Sequence, residues 1–451
     1  MTSVNTKLSK FIGKSAYYVA KKCGKNATAL PGKVALTVKS DLLLDMGKKC
    51  DKIIVTTGSN GKTTTTTLLN HVLKGSYDSV ISNLGGSNMI QGVVTPFVVD
   101  SKDHYDFGVF EVDEGSIATV FEYITPDYFI ITNFFRDQLD RYGETDNTIK
   151  MVHDAIKPET TLILNSNEPS LLQFDDLPNK KIYTNLEENQ FSKHEIKVVE
   201  NILCPNCGQT FDYDYVNYGN VGKFNCPNCG TKNHDPDYNA TSINVDKGHY
   251  EFTLQNNGKE ETYTLYLKGL YNVYNTIGVI AAAKEVGMDY NTINERIQNF
   301  EYKQGRMETI NYKNKDVTLV LSKNPVGLSE VFTTFGYDKD EKVVMYVMNS
   351  YAPDGIDVSW IWDADFEQVA EFEGLKRFYC VGTRAEDVAT RVKYAGIPTD
   401  KISVYPAKDR WDIKQAIEDI VNEDVNAFIT TSFTALPETR RLLIEHKENE
   451  N

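Results

Sequence analysis

The stretch Gly58-Ser59-Asn60-Gly61-Lys62-Thr63 brings two glycines, an ammonium and a hydroxyl into six consecutive positions. Glycines let backbone N–H groups approach phosphate oxygens. A lysine at this spacing reaches the β- and γ-phosphates of a nucleotide, and the hydroxyl after it ligates magnesium. Thr56 stands where the longer form of this pattern has glycine, so the motif is a shortened one. The bland alternative is a glycine turn with a solvated lysine. A second constellation is Cys204-Pro205-Asn206-Cys207 and Cys226-Pro227-Asn228-Cys229, two Cys-x-x-Cys pairs with eighteen residues between them. That spacing suits a closed tetrahedral thiolate site for zinc, structural in kind. The alternative is a redox dithiol, but redox motifs usually come as one pair on a helix.

Both constellations need elements to hold them. Ile53, Ile54 and Val55 are contiguous and β-branched, which predicts a buried strand over 51–57 and a helix over 63–73 after the glycine turn. Further strands are expected over 79–82, 105–112, 128–132 and 161–164, with helices over 117–123 and 148–156. The alternation argues for an α/β fold with a mostly parallel sheet. The cysteine pairs fall in a polar module, about 201–233, inserted into this domain. Strands over 250–254 and 261–267 read as a hairpin around Asn256-Asn257-Gly258, and 272–286 as an alanine-rich helix. A boundary near 299–307 divides the chain into domains 1–300 and 301–451. The second domain carries strands over 317–321, 343–347, 378–381, 402–404 and 427–430, with helices between.

A net charge of −15 argues against non-specific nucleic-acid binding. No apolar run is long enough to span a bilayer, and no signal peptide is visible, so the cytoplasm is the expected compartment. Paired cysteines in a reducing compartment read as metal ligands. Charge is unevenly spread: Lys7, Lys10, Lys14, Lys21, Lys22, Lys25, Lys33 and Lys39 precede the first acid, interleaved with Phe11, Ile12, Tyr17 and Val19. Two readings stay open there. One is an amphipathic helix on an anionic membrane surface, and the other is a helix packed on the domain with solvated lysines outside.

Thr57-Gly58-Ser59-Asn60-Gly61-Lys62-Thr63-Thr64 resembles the shortened phosphate loop of the Mur ligase superfamily. Other landmarks follow in that family's order. They are Thr132-Asn133 with Asp137-Gln138-Leu139-Asp140-Arg141, then Gly269-Leu270-Tyr271-Asn272-Val273-Tyr274-Asn275, then Gly305-Arg306-Met307-Glu308, then Lys323-Asn324-Pro325. The resemblance implies ATP binding by Gly58, Ser59, Asn60, Gly61, Lys62, Thr63 and Thr64. It implies adenine contact by Asn272, phosphate contact by Arg306, and a catalytic role for Lys62. It places magnesium on Thr63 and Glu111, with Asp113 and Glu114 as competitors. Hard oxygen ligands are also what a nucleotide-bound Mg²⁺ requires on chemical grounds. There are departures: Gln138, Tyr271 and Lys323 stand where the family has histidine, and Val320 where it has aspartate. Too little chain precedes the loop for the family's uridine-nucleotide domain, so no standard binding of a UDP-linked precursor is expected.

The Cys₄ insert and the run Asp354-Gly355-Ile356-Asp357-Val358-Ser359-Trp360-Ile361-Trp362-Asp363 resemble one branch, the MurT synthetase subunits of lipid II isoglutaminyl synthase. That resemblance implies a central Mur-ligase P-loop domain with an inserted Cys₄ zinc ribbon, plus a C-terminal Rossmann-like α/β domain. It implies ATP-dependent amidation of the D-glutamate α-carboxylate in the lipid II stem peptide. The ammonia would come from a GatD-type class I glutamine amidotransferase, and the work would be done at the inner face of the cell membrane. Asp357, or failing it Asp354, would serve the partner's Cys–His pair catalytically. Two rival functions remain at this stage: an amino-acid ligase resembling folylpolyglutamate synthetase, and a nucleotide-binding scaffold that only activates a glutaminase.

Overall fold

The structure is a computed structural model that describes residues 4–24, 27–85, 87–136, 145–194, 202–246, 249–301, 307–312 and 314–449. The chain divides into two compact units. The first comprises Met1–Phe135, Thr145–Tyr266 and Leu270–Phe300, and the second is mainly Glu301–Asn451.

The first unit opens with three helices, α1 (Val4–Lys22), α2 (Leu30–Val38) and α3 (Leu42–Gly47). The strand β1 (Cys50–Thr57) then leads into α4 (Lys62–Leu73). After β2 (Val80–Ser82), α5 (Ile90–Val99) and β3 (Tyr105–Glu111), the unit continues with β4 (Tyr128–Ile131), β5 (Thr161–Asn165) and β6 (Lys181–Leu186). A small hairpin, β7 (Asp212–Tyr218) and β8 (Val221–Asn225), interrupts it before β9 (Tyr238–Asp246), β10 (His249–Asn256) and β11 (Lys259–Leu265).

Nine of these strands form one sheet in the order β11-β10-β9-β6-β5-β4-β1-β3-β2. It is parallel from β2 to β9, and β10 and β11 add an antiparallel edge. β1 lies between β3 and β4, so the chain reverses its direction of travel across the sheet at β1. A crevice at the carboxyl end of such a strand is the usual ligand position in doubly wound sheets. Ile54 and Val55 are fully buried because helices cover both faces, which stabilises the fold by about 1.5–3 kcal/mol per side chain. The helix Leu270–Glu285 is buried nearly all round, packed against α4 and on β4, β5 and β6. Its run of small residues makes that possible.

The second unit contains β12 (Glu308–Asn311), β13 (Asp316–Leu321), β14 (Lys342–Val347), β15 (Leu375–Gly382), β16 (Ile402–Pro406) and β17 (Asn426–Thr431). Their order is β12-β13-β17-β14-β15-β16, parallel except for the edge strand β12. Val343, Met345, Val347, Val381 and Ile429 form its core with residues of the helices Lys414–Val421 and Leu436–Asn449. The five parallel strands lie where the residue pattern expects them. β12 has no counterpart in that reading.

Candidate functional site

The glycine loop leaves β1 and is fastened by the segment that follows the neighbouring strand β4. Ser59 N donates to Asn133 O at 2.9 Å, and Asn60 N to Asn133 Oδ1 at 2.9 Å. The Thr132 hydroxyl donates to Asn60 O at 2.7 Å, and Ser59 Oγ to Phe135 O at 2.9 Å. Gly58 and Gly61 have φ of +128° and +89°, a region that costs any side chain. Space forbids a side chain as well: a Cβ on Gly58 would run into the Thr132 hydroxyl, and one on Gly61 into Asn275 Oδ1. The loop hands over to α4 at Lys62, so the positive end of the helix dipole lies where the loop ends.

Lys62 is only 6% exposed. Its ammonium donates to Gly58 O, inside its own loop, and to Glu114 Oε2 at 2.9 Å. Burial pulls its pKa down, but Glu114, Asp113 and Glu111 outweigh that and hold it above its ordinary value. Glu111, at the end of β3, is turned elsewhere. Its Oε1 accepts from Asn88 Nδ2 at 3.0 Å, and Asn83 brackets its backbone from both sides. Of the three acids expected near the loop, Glu114 is thus the lysine's partner. Thr63 and Thr64 stand in the first turn of α4, with Thr64 buried. Asn272 is also buried, and its Oδ1 accepts from Asn275 Nδ2 at 3.1 Å, which ties the 269–275 motif to the loop through Asn275. Arg306 and Gln138 lie outside the described residues.

The four paired cysteines converge, with all Sγ atoms within 4.8 Å of one another. Cys204 and Cys229 approach to 3.5 Å, and Cys207 and Cys226 to 3.4 Å. Two matching turns bring this about: Gly208 N donates to Cys204 O at 2.8 Å and Gly230 N to Cys226 O at 2.9 Å. Phe211 and Phe224 pack beneath with Leu172. The Thr231 hydroxyl and amide bring the Cys229 thiol down to about 6, and Asn228 lowers Cys207, while burial raises Cys226 to about 11. Sulfurs spaced near the ~3.8 Å of a tetrahedral site with ~2.3 Å metal–sulfur bonds are a donor set that fits a borderline-soft divalent ion.

Asp354 and Asp357, three positions apart in the second unit, have different surroundings. Asp354 is 6% exposed and accepts from Thr434 N at 2.7 Å and Thr434 Oγ1 at 2.5 Å. It fastens its own loop to the one that follows β17. Asp357 is exposed and accepts from Ser359 N at 2.8 Å, with Ser359 holding its carboxyl below the usual range. Ile356 beside it is exposed, and Arg136 also acts on its charge.

Comparison with known proteins places these features together. The family model of the Mur ligase middle domain matches residues 56–229, and that of the MurT ligase C-terminal domain matches 321–436. The MurT subunit of lipid II isoglutaminyl synthase (glutamine-hydrolyzing) from Streptococcus pneumoniae is 36% identical over 98% of this chain and 97% of its own. The chain belongs to the MurT family. A MurT subunit of Staphylococcus aureus is 32% identical over 86% of this chain and 87% of its own. Among solved structures, a pseudomurein peptide ligase type C from Methanothermus fervidus aligns with a TM-score of 0.69 at 21% identity, over 90% of this chain and 81% of that one. MurF of Thermotoga maritima, solved in complex with ADP, aligns with a TM-score of 0.62 at 14% identity, over 92% and 85%. These likenesses establish the Mur ligase α/β fold with its mixed sheets.

In MurT terms, the loop and the cysteine cluster fall inside the middle-domain match, and Asp354 and Asp357 inside the C-terminal one. Residue reasoning did not single out Asn133 and Asn275 as holders of the loop. The signal was present, because both lie in the motifs quoted for the family, but their task depends on contacts with residues far away in sequence. Outside the four clustered thiols, Cys50 is pushed up to about 12 by burial, and burial raises Cys380 too, so neither is an activated nucleophile.

Proposed function

We propose that the chain is the synthetase subunit of a lipid II isoglutaminyl synthase. The observation that carries this reading is the full-length identity to the pneumococcal subunit. The shortened phosphate loop supports it. ATP would transfer its γ-phosphoryl group to the α-carboxylate of stem-peptide D-glutamate. Ammonia would then attack the acyl carbon, and phosphate would leave with the oxygen it received. A carboxylate is a poor electrophile, and phosphorylation turns its oxygen into a leaving group. Gly58, Ser59, Asn60, Gly61 and Thr64 would shape the phosphate cradle, Lys62 would stabilise charge on the transferring group, and Asn272 and Arg306 would hold the nucleotide. Magnesium held by Thr63 and Glu111 would neutralise the phosphates when bound. The raised thiols of Cys50 and Cys380 favour a separate GatD-type glutaminase as ammonia source. Asp357, exposed at the surface, is suited to meet it, whereas Asp354 is committed to Thr434.

The decisive experiment incubates the chain with lipid II, ATP and ammonium, then with glutamine and the co-expressed glutaminase, and weighs the stem peptide by mass spectrometry. Amidated product in both arms is expected. Absence of ATP-dependent product in the ammonium arm overturns the reading. Gly61→Ala should weaken nucleotide binding by about tenfold or more, since positive φ and the Asn275 clash act together. Titration with a fluorescent ATP analogue measures it.

The cysteine module is read as a zinc ribbon with a structural ion held by Cys204, Cys207, Cys226 and Cys229. Cys204→Ser should lose the metal and lower the melting temperature by about 5 °C or more, because metal binding and folding are linked. Metal analysis of freshly purified protein that finds no zinc would remove this assignment.

A further inference from the structure

The helix α1 is mounted with its small residues inward. Its buried positions are Thr6, Ser9, Gly13 and Ala20. Two hydroxyls fasten it: Ser9 Oγ donates to Ala35 O at 2.5 Å and Thr6 Oγ1 to Asp45 Oδ2 at 2.5 Å. Its large apolar residues face the other way. Val4 is 82% exposed, Leu8 48%, Phe11 71%, Tyr18 56% and Val19 63%. On a helical projection these five fall within an arc of about 100°, opposite the packed face. A surface helix of a soluble domain normally does the reverse, burying large apolar side chains and showing polar ones. Tertiary packing therefore does not account for this stripe, and five aligned exposed side chains are more than the scattered apolar residues every surface carries.

Charge indicates what covers it. The stripe is bordered by Lys7, Lys14 and Lys21, with Lys22 at its end. Lys10 sits further round and donates to Asp100 O at 3.2 Å, so it belongs to the packing. Before Asp41 there are eight lysines and no acid, although the chain as a whole carries −15. A protein partner would ordinarily be met by a mixed surface. An apolar stripe edged with ammonium groups on an otherwise acidic chain matches an anionic lipid headgroup layer. The apolar side chains enter the acyl boundary and the lysines stay among the phosphates. No helix among the described residues is long and apolar enough to cross a membrane, so the contact is a surface one.

We propose that the outward face of α1 docks on an anionic phospholipid bilayer. The proposal deepens the functional reading, since lipid II is itself membrane-anchored. It rests on that reading only for its purpose, because vesicle binding is measured without nucleotide or substrate and can succeed where amidation fails.

The test uses the purified full chain and sedimentation with two kinds of vesicle. One is phosphatidylcholine alone, and the other has about one third phosphatidylglycerol. Partitioning onto the anionic vesicles should exceed that onto the neutral ones by about tenfold, and should fall at about 0.5 M salt, where charges are screened within a few ångströms. Leu8→Ser/Phe11→Ser/Val19→Ser and, separately, Lys7→Gln/Lys14→Gln should each weaken it by about tenfold with an unchanged melting curve. Phe11→Trp gives an independent reading: its emission should shift to the blue and be quenched by brominated lipid. Equal binding to both vesicles, variants that bind like the parent, or an unquenched Phe11→Trp would each overturn the proposal. So would a triple-serine variant whose only change is a smaller mass in solution, which would make the stripe a contact between copies of this chain.

Discussion

Lys62→Met should abolish amidation, with product formation falling by at least about a thousandfold in both the ammonium and the glutamine assay. The loss follows from position. Lys62 opens α4, directly after a loop whose two glycines cannot be replaced without a clash, and its ammonium is the cation inside that loop. The same substitution should also lower stability. Glu114 is 4% exposed and paired with Lys62 at 2.9 Å, so removing the lysine leaves a buried carboxylate without its cation. Breaking a buried pair from one side costs about 3–5 kcal/mol, far more than an exposed pair contributes. Lys62→Met/Glu114→Gln separates the two effects. The double variant should recover most of the melting temperature and none of the activity. A folded Lys62→Met protein that makes product within tenfold of the parent would refute the assigned role. A single variant that melts like the parent would show that the Lys62–Glu114 pair adds nothing to stability.

The path from β1 through the loop to α4 was legible because two local signals agree there: contiguous β-branched residues and glycines at the turn. The cysteine pairs were legible because ligand spacing is itself local. The acids around Lys62 were not. Glu111, Asp113 and Glu114 fall within four positions, and composition cannot choose among them. The choice is made by the 3-10 turn Glu114–Ser116, which aims Glu114 at Lys62, and by Asn83 and Asn88, which occupy Glu111. The helix α5 left no helical trace for a different reason. Its sequence, Ile-Gln-Gly-Val-Val-Thr-Pro-Phe-Val-Val, is mostly apolar, rich in β-branched residues and interrupted by Pro96. Such a run has no 3.6-residue period, because α5 is covered on several sides, including by α1 and α2. Packing overrode propensity there. The direction in which α1 faces was likewise open, because its lysines suit either alternative. The decision came from Thr6, Ser9, Gly13 and Ala20 being the ones buried.

Asp357→Asn should divide the two half-reactions. With excess ammonium at raised pH, turnover should stay within a few fold of the parent. With glutamine as donor, it should collapse by several orders of magnitude, as when an orienting carboxylate is removed from a hydrolytic triad. The reasoning is one of separated functions. Ammonia bypasses the glutaminase, so only a residue that serves the glutaminase can show the split. A residue needed for ATP or acyl-phosphate chemistry would lose both together. The resemblance put Asp357 ahead of Asp354, and their surroundings differ in a way that predicts different failures. Asp357 is exposed, and its hydrogen bonds go to the amide and hydroxyl of its near neighbour Ser359; the amide bond survives in an asparagine, whose side-chain oxygen accepts equally well. The variant should therefore melt like the parent. Asp354 accepts from both the amide and the hydroxyl of Thr434 while nearly buried. In Asp354→Asn one carboxylate oxygen becomes an amide NH₂, a donor facing donors, so the expected result is a lower melting temperature with both activities reduced in parallel. Equal losses for Asp357→Asn in the two assays would move it to the synthetase chemistry. No loss in either would make it an Asx turn leading into Ser359–Trp362 and nothing more. If Asp354→Asn alone gave the split without loss of stability, the assignment would pass to Asp354.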